Sequence, residues 1–372
     1  MSQTPSASDG AAARVRVDDV SAMPAREWDD LAVRGPNGDA MQSHAWGELK
    51  RSTGWTPRRY VIESGGERIA VVSLQERAVA PSLPGPGRWF RILYAPRGPI
   101  LLSSEPTARD AALALAGLHR LAREKRALSL TIDPAWEEGS VAAGALGGSE
   151  FRVAAREVQV SRTAMIVPLR VSEAAQREIL GHTTYQDLDR AAGSGVTTER
   201  VDLADEAARE SALAEFYRMH AATGRREGFI VRDREYELRQ WRGLGESGVA
   251  GLWFAGVGRR DTGALLLHCG RNLVYFAAGS RDDADLRRTR ANHLLQWRII
   301  RWAAENGFAG YDMGGVDTQD HPGIPADETH PLWNLFLFKR RFGGRPVVRV
   351  RAHETAANPV LGAAWRLARR FR

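Results

Sequence analysis

The sequence predicts an α+β protein of two similar domains side by side, with a cleft between them where ligands bind. Two observations carry this. The chain has 372 residues, too many for one ordinary core and suited to two domains. A meander of strands, a long helix and a closing strand then occurs twice in the same order, in letters that barely match.

The elements follow in order. "AREWDDLAVR" reads as a short helix. "MQSHAWGELKRSTG" reads as a second helix, with Trp46 and Leu49 on its apolar side and Gly54 near its end. "TPRRYVIESGGERIAVVSLQERAV" is two alternating runs around a Gly-Gly turn, hence a hairpin. "PSLPGPG" is a loop, and "RWFRILYAPRGPILL" is a strand running into "PRGP". "TARDAALALAGLHRLAREKR" is strongly helical, and "ALSLTIDPAW" is a strand ended by proline. The second half answers with the helix "ESALAEFYRMHAATGRREG", three strands in "VAGLWFAGVGRRDTGALLLHCGRNLVYFAAGS", the helix "ANHLLQWRIIRWAAENG" and the strand "FAGYDMGGV". "GALGGSE" reads as a loop and places the boundary: a first domain over 12–160, a second over 161–349, and a terminal helix within 350–372 packing back on the first. "PLWNLFLFKRRFGG" reads as a basic, aromatic strand.

Composition narrows the function. A hydrophobic fraction of 43% and eleven Trp build sizeable cores, and no apolar run reaches the roughly 18–20 residues that span a bilayer. The opening "MSQTPSASDGAA" has neither a basic nor an apolar region, so it reads as a lead-in and not a signal peptide. Cys269 is the only cysteine, which excludes an intrachain disulfide and fits a cytoplasmic protein. Its apolar setting favours packing over nucleophilic chemistry. The net charge is +7, and from Lys339 onward ten basic residues face one acid, Glu354. Such an excess suits a polyanion (nucleic acid, a nucleotide diphosphate or an anionic membrane surface) or is a solvated helix in an arginine-rich chain. The nine histidines show no metal spacing; His321 and His330 lie in a Pro-rich loop.

A strand, a basic loop and a long helix form the core of the acyl-CoA N-acyltransferase (GNAT) unit, and the second half shows that order. The loop here, "SRDDADLRRTRAN", has Arg287, Arg288 and Arg290 but no glycine to let backbone approach a pyrophosphate. That points away from ordinary acetyl transfer.

Five stretches in order over residues 41–344 resemble the Fem-type (FemA/FemB/FemX) peptidoglycan-bridge aminoacyltransferases. They are "MQSHAWGELKRSTGW", "YAPRGPI", "FYRMHAATGRREGF", "NHLLQWRIIRWAAENGFAGYDMGGVD" and "LFKRRFGG". The resemblance implies two GNAT-like domains and transfer of an amino acid from aminoacyl-tRNA to an amine of a peptidoglycan precursor, UDP-linked (UDP-MurNAc-peptide) or lipid-linked. Aminoacyl-tRNA is then a co-substrate and no cofactor is needed. The protein is expected as a monomer without a coiled-coil arm, peripheral at the inner membrane face. One departure stands out: where the family has a basic stretch opening the second domain, "TTYQDLDRAAGSGV" has only Arg190. It leaves open a relative that uses aminoacyl-tRNA to acylate a small-molecule antibiotic, or a GNAT-type enzyme with another acyl donor.

An aminoacyl ester is already activated, and the acceptor amine is the nucleophile, so the enzyme needs positioning and a fixed cation for the oxyanion. The resemblance places the functional Phe-Lys pair on Phe338 and Lys339. The alternative has Lys339 on an exposed edge above a core of Phe336, Phe338 and Phe342. For substrate binding, Lys50 follows Trp46 at i+4 and suits a diphosphate oxygen. Arg225 or Arg226 suits a phosphate, with preference for Arg226, and either also stabilises a helix C-terminus. Phe229 and Tyr236 follow in reach of that site. Tyr94 and Tyr275 either touch substrate or fill the core. Asp312 either orients the amine or caps the Gly314-Gly315 turn.

Overall fold

The computed structural model describes residues 15–79, 90–281 and 288–370. The first unit runs β1 (Val15–Asp19), α1 (Ala25–Ala32), α2 (His44–Leu49), β2 (Thr56–Ser64), β3 (Glu67–Ala78), β4 (Arg91–Arg97), β5 (Ile100–Leu101), α3 (Ala108–Glu124), β6 (Ala127–Pro134), α4 (Val141–Gly144) and β7 (Arg152–Val153). The second runs β8 (Thr163–Pro168), α5 (Glu173–Glu178), α6 (His182–Gly193), β9 (Thr197–Val201), α7 (Glu206–Glu227), α8 (Arg234–Glu246), β10 (Ala250–Gly256), β11 (Thr262–Cys269), β12 (Asn272–Ser280), α9 (Ala291–Glu305), β13 (Gly310–Gly315), α10 (Trp333–Arg341) and β14 (Arg345–Val348). β15 (His353–Thr355) and α11 (Pro359–Arg370) follow.

The described residues form two sheets. The first has the order β1-β2-β3-β4-β6-β15-β7, with β5 on β3; the second has the order β14-β8-β13-β12-β11-β10-β9. β15 pairs with β6 and β7, so the chain after Val348 returns to the first sheet. Each unit contains a β–α–β crossover, β4–α3–β6 and β12–α9–β13, whose strands pair in parallel. α3 starts at a capping box between Thr107 and Asp110 and buries Ala111, Ala114, Leu115 and Leu118 on the first sheet. Gly65 and Gly66, at φ 61° and 86°, make the tight turn of the β2–β3 hairpin.

The crossovers differ in one respect. β4 and β6 stay paired from Arg91 to Arg97. β12 and β13 pair only over Asn272–Val274 opposite Gly310–Asp312, then part. The resulting slot is where the second unit places its polar groups.

Three local expectations are corrected. "MQSHAWGELKRSTG" is not one helix: Ser43 is extended (φ −64°, ψ 158°) and caps α2 through Trp46 N–H, between 3-10 turns over Ala40–Gln42 and Lys50–Thr53. "GALGGSE" is not a loop, since Ala145–Gly148 is a 3-10 turn that tucks Leu146 into the first core. "PLWNLFLFKRRFGG" is the helix α10 and not a strand. Its rings meet at i,i+3 (Trp333–Phe336, 5.6 Å) and i,i+4 (Phe338–Phe342, 5.3 Å), spacings that only a helix brings together. The loop "PSLPGPG", the opening dozen residues, Arg287 and the Cys269 side chain lie outside the described residues. The longest described helix, α7, has 22 residues and packs on β12, so no coiled-coil arm is present among the described residues. No described helix is long and apolar enough to cross a membrane.

Candidate active site

The slot between β12 and β13 is reached from below by Lys339. α10 carries it at 4% exposure, and its Nζ donates to Gly315 O at 2.7 Å. Gly314 borders this contact at φ 82°, a left-handed backbone that calls for glycine; a Cβ there would stand 3.6 Å from Lys339 Nζ, in ordinary contact. Burial lowers the Lys339 pKa to about 8, with the nearby Asp312 carboxylate working the other way. The ammonium therefore still predominates at neutral pH. Tyr275 lines the slot on β12, 6.5 Å from Tyr311 between ring centroids, and burial raises its phenol pKa.

Above the slot lies a charged layer joining the two units. Asp312, 3% exposed, accepts Gly314 N–H at 2.7 Å and the Arg349 guanidinium at 2.6 Å. Burial would lower the Arg349 pKa, but Asp312, Asp39 and Asp133 outweigh it and hold it above its ordinary value. On the first unit, Asp133 accepts Tyr94 O–H at 2.7 Å and Arg97 N–H at 2.6 Å. Gln159, between the units, donates to Tyr94 Oη at 2.8 Å. Gln42 locks this edge: its amide donates to Ser73 O and Pro96 O and accepts Ser73 N–H. A Cβ on Gly98 would stand 2.8 Å from the Gln42 amide, so the glycine of "PRGP" makes room for the glutamine of "MQS".

A second group gathers at the α2–α8 contact. Lys50 Nζ lies 4.5 Å from the Trp46 ring centroid and donates to Tyr236 Oη at 3.1 Å, tying the first unit to the second. Trp46 meets Phe276 of β12 edge-on at 6.0 Å. Phe229, 42% exposed, lies 5.3 Å from His220. Burial raises the pKa of the buried Glu237 in this group, against the nearby His220, Arg232 and Lys50. Arg226 donates to Ser280 Oγ at 2.9 Å and pairs with Glu227 at 2.8 Å, while Arg225 is exposed.

The structure therefore brings Lys339, Asp312, Tyr275 and Tyr94 together on one side of the interface. Lys50, Tyr236 and Phe229 form the other group, with Arg225 and Arg226 at the end of α7. Phe338 belongs to neither. Its ring packs on His293 (5.2 Å) and Phe342 in the α9–α10 core, so it supports the helix that carries Lys339. Lys339 is on no exposed edge, and Asp312 does cap its turn, with its second oxygen held by Arg349. Sequence reasoning did not single out Arg97, Asp133 and Arg349, which the structure places in this layer. Asp133 had a signal, an acid inside the apolar strand "ALSLTIDP"; Arg349 was hidden among the tail's arginines.

At the N-terminus of α9, where a GNAT unit would hold a pyrophosphate, Asp187 already stands. It pairs with Arg290 at 3.0 Å and lies 3.4 Å from His293. A fixed carboxylate there opposes a second anion.

Comparison with known proteins bears on both fold and family. Residues 182–321 match the acetyltransferase (GNAT) domain family. Lipid II:glycine glycyltransferases of Staphylococcus aureus (strain MRSA252) and Staphylococcus haemolyticus (strain JCSC1435) are 24% and 25% identical, over 86% of this chain and 88% of theirs. The crystal structure of FemX superposes with a TM-score of 0.75 at 21% identity, over 92% of this chain and 98% of that one. The fold is that of FemX, two GNAT-like units without an arm among the described residues, and the resemblance to the Fem-type enzymes is borne out over most of the chain.

Proposed function

We propose that the chain is an aminoacyl-tRNA-dependent aminoacyltransferase that extends a peptidoglycan precursor by one amino acid. The observation that carries this is the buried Lys339 ammonium beside Gly315, in a chain whose relatives are glycyltransferases acting on lipid II. The acceptor amine attacks the ester carbonyl; a C–N bond forms, the ester C–O bond breaks, and the ribose oxygen leaves with the proton the amine gives up. Lys339 holds the tetrahedral oxyanion in a site from which water is excluded. Lys50 and an arginine at the end of α7 hold the precursor's diphosphate.

Asp187 at the N-terminus of α9 disfavours an acyl-CoA donor. Exposed Val360, Leu361 and Leu367 on α11, among basic residues, suit contact with the anionic membrane face that carries a lipid-linked acceptor. The test is direct. Purified protein, charged tRNAs and UDP- or lipid-linked muropeptides are expected to give a product heavier by one amino-acid residue in mass spectrometry. Product that persists after ribonuclease treatment of the tRNA would overturn the donor assignment.

A further inference from the structure

Arg97 of "PRGP" has no role in the reaction as described, yet its setting is unusual. It is a non-glycine residue at φ 56°, in the left-handed region, at the last paired position of β4. Its backbone N–H is pinned there by Asp133 at 2.6 Å, and the same carboxylate is held by Tyr94 at 2.7 Å. Strained backbone of this kind persists where the surroundings over-determine it, and such positions cluster at ligand sites.

The side chain is left unsatisfied. Among the described residues no acceptor lies within hydrogen-bond or ion-pair reach of the Arg97 guanidinium. The neighbouring carboxylates are committed: Asp133 to Tyr94 and the Arg97 amide, Asp39 to Met41 N–H, Asp312 to Gly314 and Arg349. The nearest strong influence is a like charge. Burial first, and then Arg349, lower the Arg97 pKa, against Asp133 and Asp39. The Arg97 guanidinium is half-buried and still open to solvent, so a fork of five donors beside a second arginine stands ready to receive an anion.

We infer that Arg97 is a substrate-binding residue that receives a carboxylate of the acceptor peptide, presenting the peptide to the slot beside Lys339. The inference rests on the reading that the acceptor is a peptide. A carboxylate suits the place better than a phosphate. The local cations Arg97, Arg349 and Lys339 face Asp39, Asp133 and Asp312, so the layer is balanced and accommodates a single added charge. The group that suits a diphosphate stands elsewhere, at Lys50 and Tyr236.

The test compares wild type, Arg97→Gln and Arg97→Gly with two acceptors: a UDP-linked muropeptide with free peptide carboxyls, and the same precursor with those carboxyls converted to carboxamides. Glycine adopts φ 56° freely, so Arg97→Gly keeps the turn should the glutamine variant fold poorly. Both variants are expected to raise KM for the carboxylate acceptor at least ~10-fold, about 1.4 kcal/mol, and to leave KM for the carboxamide within about twofold of wild type. An unchanged KM, an equal rise for both acceptors, or a rise confined to the charged tRNA overturns the proposal. If wild type turns over no acceptor, the proposed function fails. Calorimetric binding of the same two precursors then decides the role of Arg97 by the same criterion.

Discussion

Both units pair a strand that precedes their crossover helix in parallel with the strand after it, but the two pairs end differently. β4 and β6 are zipped over Arg91–Arg97, and their polar ends, Tyr94 and Asp133, bond to each other across the pair. β12 and β13 part after Val274 and Asp312, and the Gly315 carbonyl there accepts a buried ammonium. One supersecondary motif thus serves as a wall in the first unit and as a slot in the second. Substitutions on the wall should register in stability, and substitutions in the slot should register in turnover.

The largest effect that would break this contrast is at Lys339. Lys339→Met is expected to lower kcat about 10²–10³-fold, as for loss of an oxyanion donor, without lowering the thermal midpoint, because a desolvated charge is removed. Full turnover in the variant would end the assignment. The pH dependence has a defined sign. With a folded pKa of about 8, the ammonium is lost as pH rises, so wild-type kcat should fall above about pH 8; a lysine acting as general base would make it rise. The unfolded lysine titrates near ~10.4, so between about pH 8 and 10 the unfolded chain holds this proton more tightly. The Lys339 contribution to stability therefore increases with pH across that window.

On the wall, Tyr94→Phe removes the hydroxyl donated to the buried Asp133. The expected cost is about 1.5–3 kcal/mol in urea denaturation, with a smaller change in kcat. A kcat loss at unchanged stability would move Tyr94 from the wall to the substrate. Gly314→Ala forces a Cβ onto φ 82° and should cost about 1–2 kcal/mol. Gly65→Ala, at φ 61° with nothing within 4 Å of its Cβ, carries the strain alone. A kcat loss in Gly314→Ala that Gly65→Ala lacks isolates the slot. The smallest effect is at Lys50, outside both pairs: Lys50→Ala should raise the precursor KM about tenfold and leave kcat nearly unchanged.

Several features of the site were legible before folding. Two β–α–β patterns, the Gly-Gly after Asp312 and a lysine amid aromatics all stand in the sequence. A further signal went unused: of the 52 basic residues only three are lysines, and two of these are Lys50 and Lys339. In so arginine-rich a chain a lysine marks a place for a compact ammonium that shifts its pKa when buried. The helix over Trp333–Arg341 was misread because its apolar run, Leu335–Phe338, is short enough to fit a buried strand or a helix equally well. Arg97, Asp133 and Arg349 escaped because 36 residues separate the first two and more than 200 the last, and only the sheets bring them to one layer.

By itself, then, the sequence determined the repeated crossover, the glycines that open a turn and the lysines available to the site, since each depends on local periodicity or local sterics. Tertiary structure alone decided that one crossover closes and the other opens, that Phe338 faces the core while Lys339 faces the slot, and that Arg97 finds no acceptor among the described residues. These are matters of desolvation and pairing. The charge a lysine or arginine presents at a site is set by the groups packed around it, here drawn from both ends of the chain.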